Sequence, residues 1–317
     1  MPSLKIGKRT ARLPIIQGGM AVRISLAPLA SAVASAGGIG VIAGSGMDVE
    51  ELRDEVRRAR QATDGILGVN VMVAVRKFKG LVQAAIDEGV DIVIAGAGFS
   101  RDVFAWCRDA GVEMVPVVGS VRVAQLAEKF GASAVVVEGV EAGGHLGTDR
   151  PMRELVPEIV NAVNIPVIGA GGVITGADIK EVLDLGASGV QMGTRFVATD
   201  ECSAADSFKE MYLKATADDV ALVKSPVGYP GRALKNPFWE RGQLGEYPPI
   251  PKCKSCLKDC HKDYCIINEL EIAQQGDVDN GLVFSGAEVG RIHDVLPVAD
   301  LMKRLEDEWR AAEEGAA

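Results

Sequence analysis

Gly38-Ile39-Gly40-Val41-Ile42-Ala43 is the stretch on which the fold turns, because it matches the G-x-G-x-x-A form of a dinucleotide-binding turn. Such a turn must follow a strand and open a helix, so that the helix N-terminus meets a pyrophosphate. Here the order is reversed. A helical pattern over residues 26–35 comes first, and an apolar β-type run over 39–43 follows. The glycines therefore read as a helix C-cap and tight turn that feed a strand. A doubly wound nucleotide-binding sheet is disfavoured, and a different parallel architecture is needed.

Working outward, the same alternation recurs. Strand candidates are residues 14–18, 39–43, 67–72, 91–95, 113–118, 134–138, 166–170 and 189–192. They are near-continuously apolar, which implies burial on both faces. Amphipathic stretches separate them. Asp48 with Glu51 opens a helix over 48–62 in the capping-box arrangement, and Thr175 with Asp178 opens the seventh helix in the same way. Repeated β-then-α units across roughly the first 215 residues predict an α/β fold, a TIM (β/α)8 barrel at residues 1–215. Residues 216–317 form a C-terminal extension in which Pro-rich irregular segments (225–230 and 246–251) and a cysteine cluster replace the repeat. A final helix is expected from about residue 298 to 311, with a fraying Glu-Glu-Gly-Ala-Ala end.

Composition narrows the function. A chain of 317 residues with 48% hydrophobic content can bury a barrel core and more. A net charge of -9 argues against a nucleic-acid surface or an anionic membrane, both of which need a basic face. No run approaches the roughly 20 apolar residues of a membrane span, and the N-terminus lacks the apolar core of a secretory signal. A soluble, cytoplasmic protein is the expectation.

In a parallel barrel, chemistry gathers on the loops that follow the strands. The sixth strand candidate leads into Glu138-Gly139-Val140-Glu141-Ala142-Gly143-Gly144-His145, a glycine-rich turn ending in one of three histidines. Bare backbone there would let a ring cofactor approach closely. An unperturbed imidazole titrates at about 6.5 and suits proton transfer in both directions at neutral pH. The bland alternative is a polar loop residue. Gly169-Ala170-Gly171-Gly172 and Gln191-Met192-Gly193-Thr194 follow the seventh and eighth strands, the corner where barrels commonly hold phosphate on backbone N–H groups. Ordinary tight turns are the alternative. Gln17-Gly18-Gly19-Met20 and Asn70 end the first and third strands and face the same mouth.

Together, Gly68-Val69-Asn70-Val71-Met72, residues 138–145, residues 169–172 and Gln191-Met192-Gly193-Thr194-Arg195-Phe196 resemble the nitronate monooxygenase (2-nitropropane dioxygenase-like) superfamily. That superfamily includes flavin-dependent enoyl-ACP reductases of fatty-acid synthesis. The similarity covers roughly residues 10–240, and Gly231-Arg232-Ala233-Leu234-Lys235-Asn236 extends it toward the enoyl reductase branch. The resemblance implies FMN, with Gly172, Gln191, Met192, Gly193 and Thr194 around its phosphate. Gly19, Met20, Asn70, Glu138 and Gly143 would line the rest, with His145 as the catalytic residue beside the substrate. Nitronate enzymes of this kind tend to carry Gln where this chain has Glu138, so the thioester branch is favoured. The implied reaction moves a hydride at the β-carbon of an acyl thioester and a proton at its α-carbon. NAD(P)H is a further cofactor on the reductase reading, the acyl group arrives free or on a carrier protein, and a homodimer is implied. The alternatives are a nitronate monooxygenase using O2 and a catalytically silent redox-sensing module.

Cys253-x2-Cys256-x3-Cys260-x4-Cys265 departs from that family pattern. Four thiolates so close read as ferredoxin-type ligands of an iron-sulfur (4Fe-4S) cluster serving as electron relay, as in a cluster-bearing subgroup of the superfamily. Zinc is the alternative, through Cys253, Cys256, His261 and Cys265, but it strands Cys260. Disulfides suit a smaller secreted chain. Cys107 reads as a buried helix residue and Cys202 as the start of another helix. Lys252, Lys254, Lys258 and Lys262 read either as a solvated face or as a docking patch for an acidic carrier.

Overall fold

The computed structural model describes residues 1–250 and 252–315. A hairpin, β1 (Leu4–Ile6) and β2 (Arg9–Ala11), precedes six barrel strands: β3 (Ile15–Gln17), β4 (Ile39–Ala43), β5 (Ile66–Met72), β6 (Ile92–Gly96), β7 (Glu113–Val118) and β8 (Val135–Glu138). The short β9 (Gly144–His145) comes next, then the last two barrel strands, β10 (Val167–Ala170) and β11 (Gly189–Met192). Helices α1 (Ala27–Ser35), α2 (Val49–Ala62), α3 (Phe78–Asp87), α4 (Asp102–Ala110), α5 (Val121–Lys129), α6 (Met152–Val160) and α7 (Gly176–Asp184) alternate with them. Beyond β11 lie α8 (Thr194–Val197), α9 (Asp206–Lys214), β12 (Val220–Val223), β13 (Gly231–Leu234), α10 (Pro237–Gln243), α11 (Ile266–Gln274) and α12 (Val298–Glu314).

The eight strands close in the order β10-β11-β3-β4-β5-β6-β7-β8, each pair parallel. The chain is a TIM barrel, and the expected strands are the observed ones with ends moved by no more than one residue. Two nested cores follow from strand alternation. Ile16, Ile39, Val41, Ile94, Val115, Val136 and Ile168 fill the barrel, and Leu4 and Ile6 of the hairpin plug its lower end. Val69, Val71, Val135, Val137, Val190 and Met192 point the other way, into the shell of helices.

The glycine stretch that decided the architecture behaves as a helix exit. Gly37 takes φ +92°, and the N–H groups of Gly37 and Gly38 return to Ala34 and Val33 at 3.1 Å, which closes α1 in a left-handed cap. Gly40 has a separate cause. It lies inside β4, where a Cβ would stand 1.8 Å from the Ala30 carbonyl oxygen, so it permits helix α1 to lie directly on the strand. Thr175 and Asp178 form the full capping box. Asp48 accepts from Glu51 N–H, but the Glu51 carboxylate turns to Arg23 at 2.6 and 2.9 Å, so only half of the expected box forms.

The polypeptide after β11 is woven into the barrel. Strands β12 and β13 form an antiparallel sheet with β9, in the register Gly231↔His145 and Arg232↔Gly144. Helix α12 packs against α7 and α1, where Gly176 N–H donates to Glu308 at 2.7 Å, and it completes the outer helical layer. It runs to Glu314, three residues past the expected end. Cys107 is buried within α4 as expected. Cys202 does not begin a helix. Ser203 and Ala205 give their N–H groups to Ile24 and Gln274, which holds this stretch irregular until α9 starts at Asp206.

Candidate active site

Strand alternation aims the site. Val136 is inside the barrel and Val137 outside, so Glu138 at the upper end of β8 points inward. The same parity turns Asn70 inward from β5, between outward Val69 and Val71, and Gln191 inward from β11, between outward Val190 and Met192. These tips, with the loops that follow the strands, line a cavity of about 250 Å³ at the C-terminal mouth. Gly19, Met20, Asn70, Glu138, Gly143, His145, Gly172, Gln191, Met192, Gly193 and Thr194 all border it. Met192 does so with its side chain committed to the outer core.

His145 owes its place to β9, whose pairing with Gly231 fixes its backbone. Its ring meets Phe284 edge-on, with centroids 5.2 Å apart, and its Nε2 lies 2.8 Å from the Ser225 hydroxyl. Burial pushes the imidazole down to about 4, so it is neutral at pH 7 rather than poised near 6.5 as the sequence suggested. Burial pushes the Glu138 carboxyl up to about 8, so it holds its proton there. The mouth thus presents a neutral base and a neutral acid.

Polar groups in the cavity suit a large, polar, ring-bearing ligand. Gln191 Oε1 is buried with no partner in the protein. A buried amide oxygen needs a donor, and here the donor must come from whatever fills the cavity. Gly171 and Gly172 follow β10 at φ +108° and +70°, and left-handed glycines of this kind turn successive N–H groups into an anion cradle. Thr194 already accepts the Gly286 N–H at 3.0 Å, which ties the corner to the extension. By these tests the residues fit FMN.

Gly143 is small for another reason than cofactor approach. A Cβ there would meet the Ser285 carbonyl carbon at 2.6 Å and the Gly286 nitrogen at 2.7 Å, so the extension, not a ligand, occupies that space. Sequence reasoning missed this roof. Leu270, Leu282, Phe284, Ser285 and Gly286 all border the cavity, and no motif marks them; the only local cue is the lone glycine beside Phe284 and Ser285.

The cysteine segment lies beside the mouth, sewn to the loop after β5. Leu257 bridges Val75, Arg76 N–H donates to the Cys256 carbonyl at 2.8 Å, and Lys258 N–H donates to Ala74 at 2.9 Å. Cys253 and Cys260 are exposed, while Cys256 and Cys265 are half-buried. The other three thiols lie within electrostatic reach of Cys256 and, behind burial, help to raise its pKa. Among the described residues, however, no three His, Cys, Asp or Glu side chains gather closely enough to hold a metal ion. The iron-sulfur or zinc centre expected at Cys253, Cys256, Cys260 and Cys265 is not shown by the structure, although the donor chemistry suits one. No electron-transfer step is assigned to it. Of the four lysines, Lys254 pairs with Glu271. Lys258 donates to the Val73 carbonyl at 2.6 Å and sits over Phe78, so two of the four are spent internally.

In sequence and in fold the chain is similar to known proteins. The chain is 33% identical over 235 residues to a (3aS,4S,5R,7aS)-5-hydroxy-7a-methyl-1-oxo-octahydro-1H-indene-4-carboxyl-CoA dehydrogenase of Mycobacterium tuberculosis, covering 73% of this chain and 66% of that one. The matched part thus spans just under two thirds of that relative, and 62% of the dehydrogenase of the same name from Rhodococcus jostii. A probable nitronate monooxygenase of Staphylococcus aureus is 30% identical over 286 residues, covering 74% of this chain and 80% of its own length. The structure of FabK from Thermotoga maritima superposes with a TM-score of 0.88 at 33% identity, covering 96% of this chain and 95% of that one. Residues 3–308 match the nitronate monooxygenase family. The chain belongs to that family, an oxidoreductase family of the FMN type. Among the described residues no helix is long and apolar enough to cross a membrane.

Proposed function

We propose that this chain is an FMN-dependent oxidoreductase acting at the α- and β-carbons of an acyl thioester, on CoA or a carrier protein. The observation that carries the reading is the joint placement of His145, Glu138, Gln191 and the glycine turns after β10 and β11 on one cavity. Gly172, Gln191, Gly193 and Thr194 would hold the FMN phosphate end, and Gly19, Met20, Asn70 and Glu138 would border its ring. Bound there, FMN supplies a two-electron donor or acceptor for the β-carbon.

The chain's own residues manage the proton. His145, neutral at pH 7, accepts the α-carbon proton in the oxidative direction; in the reductive direction the ring must first take up a proton from solvent before it donates to the α-carbon. Glu138, protonated, offers a hydrogen-bond donor without placing a negative charge in the mouth. Phe284 and Leu282 line the cavity and, once cofactor and substrate fill it, would keep water from the reacting carbons. The CoA-thioester dehydrogenases among the relatives support this substrate class.

The second reading is oxidation of alkyl nitronates by O2, supported by the Staphylococcus aureus relative. Glu138 counts against it, because the resemblance places glutamine there in nitronate enzymes. Two assays separate the readings: an anaerobic assay with an enoyl thioester plus NADH or NADPH, or with a saturated acyl thioester plus an artificial dye as electron acceptor, and an aerobic assay with an alkyl nitronate and no pyridine nucleotide. Turnover only in the second overturns the proposal.

A further inference from the structure

Residues 282–287 cross the barrel mouth, where Leu282, Phe284, Ser285 and Gly286 border the cavity. Four separate elements hold this segment by its backbone. Leu234 of β13 donates its N–H to the Val283 carbonyl at 2.9 Å, and Ser285 N–H returns to the Arg232 carbonyl at 3.1 Å. The Tyr212 hydroxyl of α9 donates to the Phe284 carbonyl. Ala287 N–H donates to the Glu141 carbonyl, in the loop after β8, at 2.9 Å. Gly286 N–H reaches the fourth element, donating to Thr194 Oγ1 at the start of α8 at 3.0 Å.

The last of these bonds has a fixed polarity. A backbone N–H only donates, so the Thr194 oxygen accepts and keeps its own proton to give. Gly286 is the only hydrogen-bond partner of that hydroxyl among the described residues, and Thr194 borders the cavity, so the proton is left for whatever fills it. A Cβ at Gly286 would stand 2.8 Å from Thr194 Oγ1 and 3.3 Å from the Glu141 carbonyl oxygen. Gly286 does not take the left-handed φ that favours glycine, so it is the threonine oxygen, not the backbone, that needs a glycine there. A hydroxyl that gives its proton to an anion becomes a better acceptor in turn, so a phosphate at Thr194 tightens the bond from Gly286. By reciprocity, the closed segment strengthens phosphate binding by the same factor.

We propose that the C-terminal extension is part of the cofactor site: Gly286 is a positioning residue that orients the Thr194 hydroxyl as a donor to the terminal phosphate, so that FMN, and not riboflavin, fastens residues 282–287 over the mouth. This deepens the proposed function and rests on its placement of the FMN phosphate at Thr194. Riboflavin carries the same ring and ribityl chain but ends in a neutral hydroxyl, which forms a weaker bond with Thr194 than a phosphate does.

The test compares the dissociation constants of FMN and riboflavin, read from the quenching of flavin fluorescence by flavin-free protein. Thr194→Ala should weaken FMN binding by roughly 10- to 100-fold while riboflavin moves by less than about threefold, and Thr194→Ser should stay near the wild type. Gly286→Ala, which pushes the hydroxyl aside, should cost FMN a similar factor in the wild type and nothing further in Thr194→Ala, because both changes act on one hydroxyl. Hydrogen exchange of the wild type, followed by mass spectrometry, needs no variant: saturating FMN should slow residues 282–287, and saturating riboflavin should not. Equal losses for the two flavins, losses from Gly286→Ala and Thr194→Ala that simply add, or equal protection of the segment by both flavins would each mark a merely structural contact and overturn the proposal. A wild type that binds neither flavin overturns the proposed function and this inference with it. One that binds FMN without these differences leaves the proposed function standing and removes this inference alone.

Discussion

Replacing Glu138 by glutamine removes one ionisable proton from the barrel mouth while keeping the side chain's shape, and the structure dictates how stability must respond. Burial raises this carboxyl from 4.5 to about 8 in the folded chain. As pH rises, the unfolded chain releases the proton first, so the folded state's stability is unimpaired below about pH 4.5 and declines toward pH 8. At about 1.4 kcal/mol per pKa unit, the decline reaches about 3 kcal/mol by pH 7 and about 5 kcal/mol above pH 8. Both figures are upper bounds, because Glu138 borders a cavity that admits water. Glutamine has no such proton. Glu138→Gln should therefore match the wild type near pH 4.5 and exceed its stability by roughly 2–4 kcal/mol at pH 8. Urea unfolding of flavin-free protein, followed by the fluorescence of its three tryptophans, measures the difference across that range. A pH-independent difference, or a wild type more stable than the variant at pH 8, would refute the reasoning.

Other consequences follow from single residues. His145→Asn should lower kcat for the thioester reaction by roughly 10²- to 10⁴-fold with flavin content unchanged, and steady-state kinetics with a flavin assay checks both. Because burial holds the His145 ring down to about 4, the acid limb in kcat for oxidation of a saturated acyl thioester should appear near pH 4; a limb at 6.5 would show a solvated imidazole. Gly143→Ala should displace the Ser285–Gly286 backbone, costing about 1–3 kcal/mol and weakening flavin retention, as thermal unfolding and flavin titration would show. Gly40→Ala forces a Cβ to 1.8 Å from the Ala30 oxygen and should cost more than about 4 kcal/mol, leaving little soluble protein on expression.

The barrel was legible because its strands are short apolar runs with turn signals at both ends, and each needs only local residues to declare itself. The loops were legible as well, since glycines that follow predicted strands mark the C-terminal mouth. What lay hidden depended on partners distant in sequence. Gly143 is explained by Ser285 and Gly286, and Ser225 by an imidazole eighty positions away. The depressed pKa of His145 comes from burial beneath Phe284, which no local pattern reports. The cysteine spacing was plain in the chain, yet among the described residues no three potential ligands gather closely enough to show the centre it implies. Two of the lysines between them turned out to be structural.

The central claim is that the cavity above β10 and β11 holds a flavin mononucleotide. Mass spectrometry of gently purified protein, with its visible spectrum, tests this directly. The account predicts FMN near one per chain, and its loss when Gly172→Val crowds the turn after β10. Protein free of flavin that takes up none from excess FMN would contradict it.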